Sequence, residues 1–265
     1  MLRYRLLTAA VAIPLLVWFI LWASPLTFSL LVLVATLLAL REFAEMAVGE
    51  VPYGTSLTVG GGMVIALAMA LLQSGVAISA GVVVCLCATL IVTLALAEDM
   101  QSSVDSAARV ILGALYAGIL LPHFIWLRAL PDGPHWTLFT VAVAMAGDVG
   151  GYFGGRAFGR TRLWPAVSPN KTVEGALVAV MCSIAAGVIV NATMLRVLGG
   201  WEAFGIATVA GVLGPLGDLL ESMLKRAFDA KDSGWILPGH GGVLDRTDSL
   251  VLPAVFIYYY AVLAL

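Results

Sequence analysis

Charged residues are scarce in this sequence. Asp, Glu, Lys and Arg make up 11% of its 265 residues, against about 25% in an ordinary soluble domain. Apolar residues make up 61%, and the mean hydropathy is +1.02. These values exclude a soluble globular domain. The net charge of −2 indicates nothing about partners, because only its distribution matters here, and we expect no nucleic acid partner.

Cysteine is also rare. Cys85, Cys87 and Cys182 all lie within apolar runs. A single residue between two cysteines is too short for a zinc knuckle, and helix positions two apart do not share a face. We therefore expect small core residues in transmembrane helices, without disulfides.

Long apolar runs dominate the chain, and a helix needs roughly 20 apolar residues to cross a bilayer. Such runs do not suit an outer-membrane barrel, whose strands are about 10 residues long. The first run resembles a signal peptide, but a second run follows at once, so we expect an uncleaved span. The expected fold is an all-α polytopic integral membrane protein with about nine transmembrane helices. The predicted spans are 6–24, 25–40, 57–73, 75–97, 108–128, 135–155, 172–196, 202–224 and 248–265.

The basic residues predict the orientation of these spans. With a cytoplasmic N-terminus, twelve of the fourteen basic residues fall on the cytoplasmic side, leaving Arg128 and Arg196 on the other. Such asymmetry is typical of membrane proteins, whose cytoplasmic loops are rich in Lys and Arg. The two charge-rich loops, 156–171 and 225–247, are therefore expected in the cytoplasm.

The two halves of the chain differ in where their acids lie. Up to about residue 130 the acids lie near span ends, as Glu42 and Glu45 do just past the second span. Later, Asp148 and Asp218 lie inside predicted spans. We predict a scaffold or dimerisation half over 1–130 and a catalytic half over 131–265. No inverted repeat relates the halves, which disfavours a secondary transporter.

The densest cluster of charge runs from residue 218 to residue 248. Helical periodicity places five polar residues on one face of the eighth span. A carboxylate about 10 Å inside the membrane edge needs a partner or a cation, so Asp218 is a candidate metal ligand. The alternative is a buried Asp hydrogen-bonded to a neighbouring helix. The five residues are Asp218, Glu221, Ser222, Lys225 and Asp229.

The last span begins with a second group of charges. Asp245 and Asp248 are three residues apart and project together if the helix has already begun there, with Arg246 between them. Carboxylates from two helices, without cysteine clusters or paired histidines, suit a hard cation such as Mg²⁺ shared with a substrate phosphate. Asp245 could instead, or in addition, cap the helix.

A glycine-rich loop separates the two groups. In 238–242, three glycines surround His240, and backbone amides in such a loop can approach an anion closely. The G-x-x-x-x-G-K-[ST] phosphate loop is absent from it. The alternative is a flexible loop with a solvated histidine.

A second polar loop follows Asp148. We expect Ser168 to cap a helix that begins at Pro169, which would form an anion site with Lys171 beside it. Arg160 and Arg162 are better explained by membrane topology and lipid headgroups.

These residues resemble the signature of the phosphatidate cytidylyltransferase (CDP-diacylglycerol synthase) family. The match runs from Ser222 to Asp248, through S-x-x-K-R, K-D-x-G, L-P-x-H-G-G and D-R-x-D. The stretches Gly147–Gly159 and Ser168–Gly175 are similar to the family as well. One departure is Asn170, where the family usually has a second lysine, which leaves one phosphate contact in doubt.

The resemblance implies a reaction in phospholipid biosynthesis, in which CTP and phosphatidate give CDP-diacylglycerol and diphosphate. It further implies Mg²⁺ dependence, with K⁺ as a candidate second ion, a homodimer, and a cell (inner) membrane location with the site facing the cytoplasm. The implied metal ligands are Asp218, Asp245 and Asp148. The implied catalytic residues are Lys225, Arg226, Lys231, Asp232, His240, Arg246 and Asp248. The implied substrate-binding residues are Ser168, Lys171, Thr172, Ser222, Gly241, Gly242 and Arg156.

Two other functions stay open at this point. An ion-coupled transporter would use Asp148 and Asp218 as intramembrane ion ligands, but it leaves the glycine–histidine loop and the lysines without a role. Another CTP-using lipid enzyme, such as a polyprenol kinase, is the other alternative. A CDP-alcohol phosphotransferase is disfavoured because its D-G-x2-A-R-x8-G-x3-D-x3-D pattern is absent.

Overall fold

The computed structural model describes residues 14–234 and 241–264. The described residues are almost entirely helical, as the apolar runs predict, and one short hairpin interrupts them. The first helix, α1, is described over residues 14–22. The others are α2 (Pro25–Val48), α3 (Gly54–Leu72), α4 (Gly75–Leu96), α5 (Met100–Leu120), α6 (His123–Ala129), α7 (Gly133–Phe158), α8 (Val173–Val190), α9 (Gly200–Ala227) and α10 (Leu244–Ala264).

Within the described ranges, eight helical segments are long and apolar enough to cross a membrane. They correspond to the second to ninth predicted spans, so the polytopic all-α fold is confirmed. The first predicted span lies partly outside the described residues. The second is longer than predicted, since α2 continues to Val48. The fifth consists of α5 followed by the short helix α6.

Glycines allow α7 and α8 to pack closely. A Cβ atom built at Gly154 would lie 2.5 Å from the Cβ of Val178, and one built at Gly150 would lie 2.6 Å from the Sγ of Cys182. Small residues on a helix face let two backbones approach, as is common between transmembrane helices. This close contact fixes α7 against α8 in the region where both helices line the pocket described below.

The connection between α7 and α8 differs from the prediction. Instead of a helix beginning at Pro169, the chain forms an antiparallel hairpin of β1 (Arg162–Trp164) and β2 (Ser168–Thr172). Helix α8 begins only at Val173, and its N-cap is Thr172, whose side chain accepts the Gly175 N–H at 3.1 Å. The predicted cap at Ser168 is therefore wrong, because strand pairing takes up the backbone of 168–172.

The N-terminal and C-terminal halves share a hydrophobic core. Leu40 and Phe43 of α2 belong to the same buried cluster as Leu224 of α9 and as Leu244 and Val251 of α10. Packing of α2 against these two helices places side chains of the first half next to the charge-rich segment of the second.

The cysteines are free in the described structure, and only Cys85 is buried within the chain. Cys87 is exposed and Cys182 is half-buried. The expectation of core positions therefore holds for Cys85 and fails for Cys87, which points to the opposite side of α4.

Candidate functional site

A pocket of about 520 Å³ lies between α7, α8, α9 and the hairpin. The size falls within the range of small-molecule sites. Helix α7 lines it with Gly147, Gly151 and Gly155, and a Cβ at these positions would meet Ser183, Ala179 and Thr172 respectively. The other lining residues are Asp148, Tyr152, Arg156, Leu163, Asn170, Lys171, Thr172, Gly175, Ala176, Ala179, Pro215 and Asp218.

One wall of the pocket carries an ion pair between β2 and α9. The Nζ atom of Lys171 lies 2.7 Å from Oδ2 of Asp218. The Ser222 hydroxyl donates to Oδ1 of the same carboxylate at 3.3 Å, so the predicted helical face is confirmed for these two residues. The Asp218 side chain is 34% exposed, which leaves it accessible from the pocket. Lys171, from the loop after the sixth predicted span, and Asp218, from within the eighth, are therefore neighbours.

Asp148 approaches the same region from α7. It lies on the pocket wall and is exposed there. Its Oδ2 accepts the Ser249 hydroxyl of α10 at 2.7 Å. Asp248 is buried and accepts the Ser249 N–H at 2.7 Å. It interacts electrostatically with both Asp218 and Asp148. Three carboxylates thus converge where α7, α9 and α10 meet.

A second charge cluster lies along α9, around Lys225. Its Nζ atom lies 2.5 Å from Oε2 of Glu221 and 2.6 Å from Oδ1 of Asp245. Glu221 is fully buried and Lys225 is 9% exposed. In this arrangement the ammonium group is engaged by two carboxylates of the protein, and it links α9 to the start of α10.

Both oxygens of Asp245 have partners. Oδ1 contacts Lys225, and Oδ2 accepts the Ser233 N–H at 2.9 Å, the Ser233 hydroxyl at 2.8 Å and the Gly242 N–H at 2.9 Å. The capping alternative considered for Asp245 thus has direct structural support, because this carboxylate holds the residues preceding its own helix. Gly242, expected to bind substrate through its amide, donates that amide to Asp245.

Glu42 lies near these clusters, although no sequence pattern predicted a role for it. It lies on α2, is 1% exposed, and accepts the backbone N–H groups of Val243 and Leu244 at 2.9 and 2.8 Å. Its sequence position offered no signal that separates it from Glu45, because Ala39 and Glu45 both lie three residues from it on the helix. Only the structure shows that Glu42 is buried while Glu45 is exposed.

Tyr116 of α5 is a second residue of the first half near these charges. Its hydroxyl is buried without a hydrogen-bond partner in the described structure. The charges of Glu221, Asp248 and Asp218 all act on it. A tyrosine in an apolar run carries no sequence signal for such a position.

The remaining predicted residues lie around the two clusters. Arg226 is exposed and donates to the Ala230 carbonyl at 2.8 Å, while Lys231, Asp232 and Arg246 are exposed. Arg156 lines the pocket, and its guanidinium lies 3.5 Å from the Tyr152 hydroxyl. Thr172 also lines the pocket, whereas Ser168 lies at the far end of β2, opposite Trp164. Gly241 has a φ of 77°, a conformation that favours glycine. His240 lies outside the described residues.

The donor set of the pocket suits a hard cation. Asp148 and Asp218 line the pocket and supply only carboxylate oxygens, and of these two Asp218 forms an ion pair, with Lys171. Across the described ranges, no three Asp, Glu, His or Cys side chains form a ready-made metal cage. Mg²⁺ typically binds through one or two carboxylates together with substrate phosphates, so a partial set of this kind fits it.

Comparison with known proteins adds a family relationship. The profile of the Cytidylyltransferase family matches residues 3–264. The phosphatidate cytidylyltransferase of Brucella suis biovar 1 (strain 1330) is 34% identical over 260 residues, which cover 98% of this chain and 93% of the relative. The protein of the same name from Bacillus subtilis (strain 168) is 38% identical over 156 residues, 58% of each chain. That from Staphylococcus haemolyticus (strain JCSC1435) is 40% identical over 164 residues, 61% of this chain and 62% of the relative.

Proposed function

The chain belongs to the cytidylyltransferase family, and from this premise we propose that it is a phosphatidate cytidylyltransferase. It converts CTP and phosphatidate into CDP-diacylglycerol and diphosphate. The observation that carries this function is that one pocket is lined by two basic residues, Lys171 and Arg156, and by two acidic residues, Asp148 and Asp218. Cations and hard-oxygen donors within one cavity fit two phosphate-bearing substrates.

The reaction demands charge neutralisation and alignment more than proton transfer. A phosphate oxygen of phosphatidate forms the new bond to the α-phosphorus of CTP. The bond from that phosphorus to the oxygen bridging the α- and β-phosphates breaks, and diphosphate leaves with the electron pair. Because the attacking phosphate is already anionic near neutral pH, no strong general base is needed. Holding the three groups in line is the main catalytic task.

The chain's own residues supply parts of that task. Lys171 and Arg156 line the pocket. The Lys171 ammonium can bind phosphate oxygens as a point charge, and the planar Arg156 guanidinium can bind two of them at once. The glycines of α7 let α8 and Thr172 pack close to the helix beside these cations. We propose in addition that Lys225, Arg226, Lys231 and Arg246 hold phosphates, that Asp232 and His240 are further catalytic residues, and that Ser222 and Thr172 bind substrate. Lys225 would have to release Glu221 or Asp245 to do so.

Asp218 and Asp148 would hold Mg²⁺ from the pocket side. Both line the cavity, and an arriving phosphate can take Lys171 from Asp218 and free a carboxylate oxygen. Bound Mg²⁺ would polarise the phosphate oxygens and offset the charge of the leaving diphosphate. Asp245 remains a proposed ligand, and it would join the ion only after exchanging Lys225 or Ser233 for it. K⁺ is proposed as a second ion for the same oxygen donors.

The same proposal includes a cytoplasmic site and a homodimer in the bacterial plasma membrane. The asymmetry of basic residues supports a cytoplasmic N-terminus. Cysteine introduced at the exposed Lys231 should react with a membrane-impermeant maleimide in inside-out vesicles only. Labelling in right-side-out vesicles would contradict the orientation. Light scattering of the detergent-solubilised protein tests the dimer.

One assay with two labels tests the reaction itself. Purified protein is incubated with mixed micelles of phosphatidate and a polyprenol, Mg²⁺ and CTP labelled at either the α- or the γ-phosphorus. A cytidylyltransferase transfers the α-label to lipid and releases the γ-label as diphosphate. Transfer of the γ-label to a polyprenol or another lipid alcohol would indicate a kinase instead. The absence of transfer from either label would remove the enzymatic proposal, and EDTA should abolish activity if Mg²⁺ is required.

A further inference from the structure

Glu42 reaches from the first half of the chain into the charge-rich segment of the second. Its carboxylate accepts the N–H groups of Val243 at Oε1 and of Leu244 at Oε2. These are amides at the start of α10, which have no partner within their own helix. A negative charge at this helix end is favourable, so Glu42 caps α10 from another helix.

Ser233 connects this cap to Asp245. Its hydroxyl lies 3.4 Å from Oε2 of Glu42 and 2.8 Å from Oδ2 of Asp245, and Ser233 is 6% exposed. Asp245 in turn contacts Lys225. A continuous set of polar contacts therefore runs from α2 through Ser233 and Asp245 to α9.

Two glycines show how closely the backbone packs around Glu42. A Cβ atom at Gly234 would lie 2.8 Å from Cγ and 2.9 Å from Cδ of Glu42. One at Gly242 would meet the Ser233 hydroxyl, and it would lie 2.5 Å from Oε2 of Glu42. Real side chains do not tolerate such distances. The backbone at Gly234 and at Gly242 therefore packs directly against the Glu42 side chain.

These contacts go beyond what anchoring two helices requires. An apolar side chain at position 42 could fill the core of α2, α9 and α10 without the cost of burying a charge. The carboxylate instead fixes the start of the helix that carries Asp245 and Asp248. Glu42 is not among the residues that line the pocket. Its described polar partners lie at residues 233, 243 and 244.

We propose that Glu42 is a positioning residue for nucleotidyl transfer, acting through the start of α10. By holding Ser233, Val243 and Leu244 it sets the place of Asp245 and, through Asp245, of Lys225. The role rests on the proposed cytidylyltransferase function. It assigns to the first half of the chain a direct part in the active-site geometry.

The kinetic test compares Glu42→Gln with Glu45→Gln. Glu45 lies on the same helix, but its side chain is 64% exposed, and its one ion pair among the described residues is with Arg41 at 3.7 Å. Gln keeps the shape of Glu42 but turns an amide NH₂ towards one of the two N–H donors. We expect kcat to fall about ten- to a hundredfold, as for residues that orient ligating groups. KM for CTP should stay within about threefold, because the pocket walls are intact. Glu45→Gln should resemble wild type.

Hydrogen exchange gives a readout independent of activity. In Glu42→Gln the amides of Val243 and Leu244 should exchange faster than in wild type, while those of α7 and α8 keep their protection. A fall in kcat accompanied by uniform loss of protection across all helices would show a general folding role and overturn the proposal. Unchanged kcat and unchanged exchange would overturn it equally.

Ser233→Ala serves if Glu42→Gln fails to fold. It removes the hydroxyl between Glu42 and Asp245 while keeping both charges, and we expect lower kcat with faster exchange at Val243. Wild-type kinetics and exchange in Ser233→Ala would contradict the proposal. Wild-type protein without nucleotidyl transfer would refute the proposed function instead, and the exchange result would still report on the cap.

Discussion

The Lys171 ammonium and the Asp218 carboxylate lie 2.7 Å apart, measured from Nζ to Oδ2, across the junction of β2 and α9. The two residues come from separate polar stretches of the sequence. Their contact forms part of the pocket wall between α7, α8 and α9. Lys171 can exchange its partner for a phosphate, and Asp218 can exchange its partner for a metal ion.

Asp218→Asn should abolish most of the activity. The amide cannot supply the negative charge that holds a hard cation, and Lys171 loses its ion-pair partner. We expect turnover to fall about a hundredfold or more, measured as diphosphate release over a range of Mg²⁺ concentrations. Asp229→Asn makes the same charge change at an exposed position with a φ of 52°, which Asn tolerates. It should keep normal activity; equal turnover of both variants would remove Asp218 from the site.

Arg156→Ala should weaken substrate binding more than turnover. Arg156 lines the pocket, and its guanidinium makes one long contact, 3.5 Å, with the Tyr152 hydroxyl in the described part of the chain. Losing one charge-assisted phosphate contact should raise KM for CTP or phosphatidate by about tenfold. Steady-state kinetics with each substrate varied in turn measure this effect. Arg160→Ala, outside the pocket lining, is the control, and an equal rise in KM in both variants would argue against a specific contact.

Lys225→Met should destabilise the protein strongly. The substitution leaves Glu221 and Asp245 close together without their shared cation. Breaking a buried pair by removing one partner costs about 3–5 kcal/mol. Glu221→Gln should cost less, since Lys225 keeps Asp245. Thermal unfolding in detergent checks the order of the two variants, and a Glu221→Gln variant less stable than Lys225→Met would show that the cluster is held together differently.

Gly154→Ala should separate α7 from α8. The new methyl group would lie 2.5 to 2.8 Å from three atoms of Val178, and overpacking of this kind costs about 1–3 kcal/mol. Gly60→Ala is the matched control, because a Cβ there meets nothing within 4 Å. Thermal unfolding should show a loss for Gly154→Ala alone. If both variants unfold at the wild-type temperature, α7 and α8 do not pack as tightly as described.

Local sequence patterns predicted much of the fold correctly. Apolar run length identified the eight membrane-spanning segments from α2 to α10, although not the division of the fifth predicted span into α5 and α6, because a bilayer-spanning helix must satisfy its backbone internally along its whole length. Helical periodicity also placed Asp218, Ser222 and Lys225 on one face. The pattern failed at Ser168 and Pro169, where a plausible helix start is overridden by pairing between β1 and β2.

Local sequence patterns could not predict which groups the carboxylates contact. Asp245 could be recognised as important from its signature, but its contacts with Lys225, Ser233 and Gly242 appear only in the structure. Glu42 resembled its neighbour Glu45 as an acid at the end of a span. Its burial depends on the rotation of α2 against α9 and α10, which the composition of α2 does not specify.

Apolar run length alone was enough to establish that this protein is a bundle of membrane-spanning helices. Helical spacing, the cost of a charge in lipid and the family resemblance predicted, in addition, that its chemistry resides in the polar stretches around residues 148, 171 and 218–248. Only the tertiary structure decided which charges neutralise one another. Glu42 and Leu244, 202 positions apart, meet through packing of helices from the two halves, and that packing determines which carboxylates hold the backbone and which line the pocket.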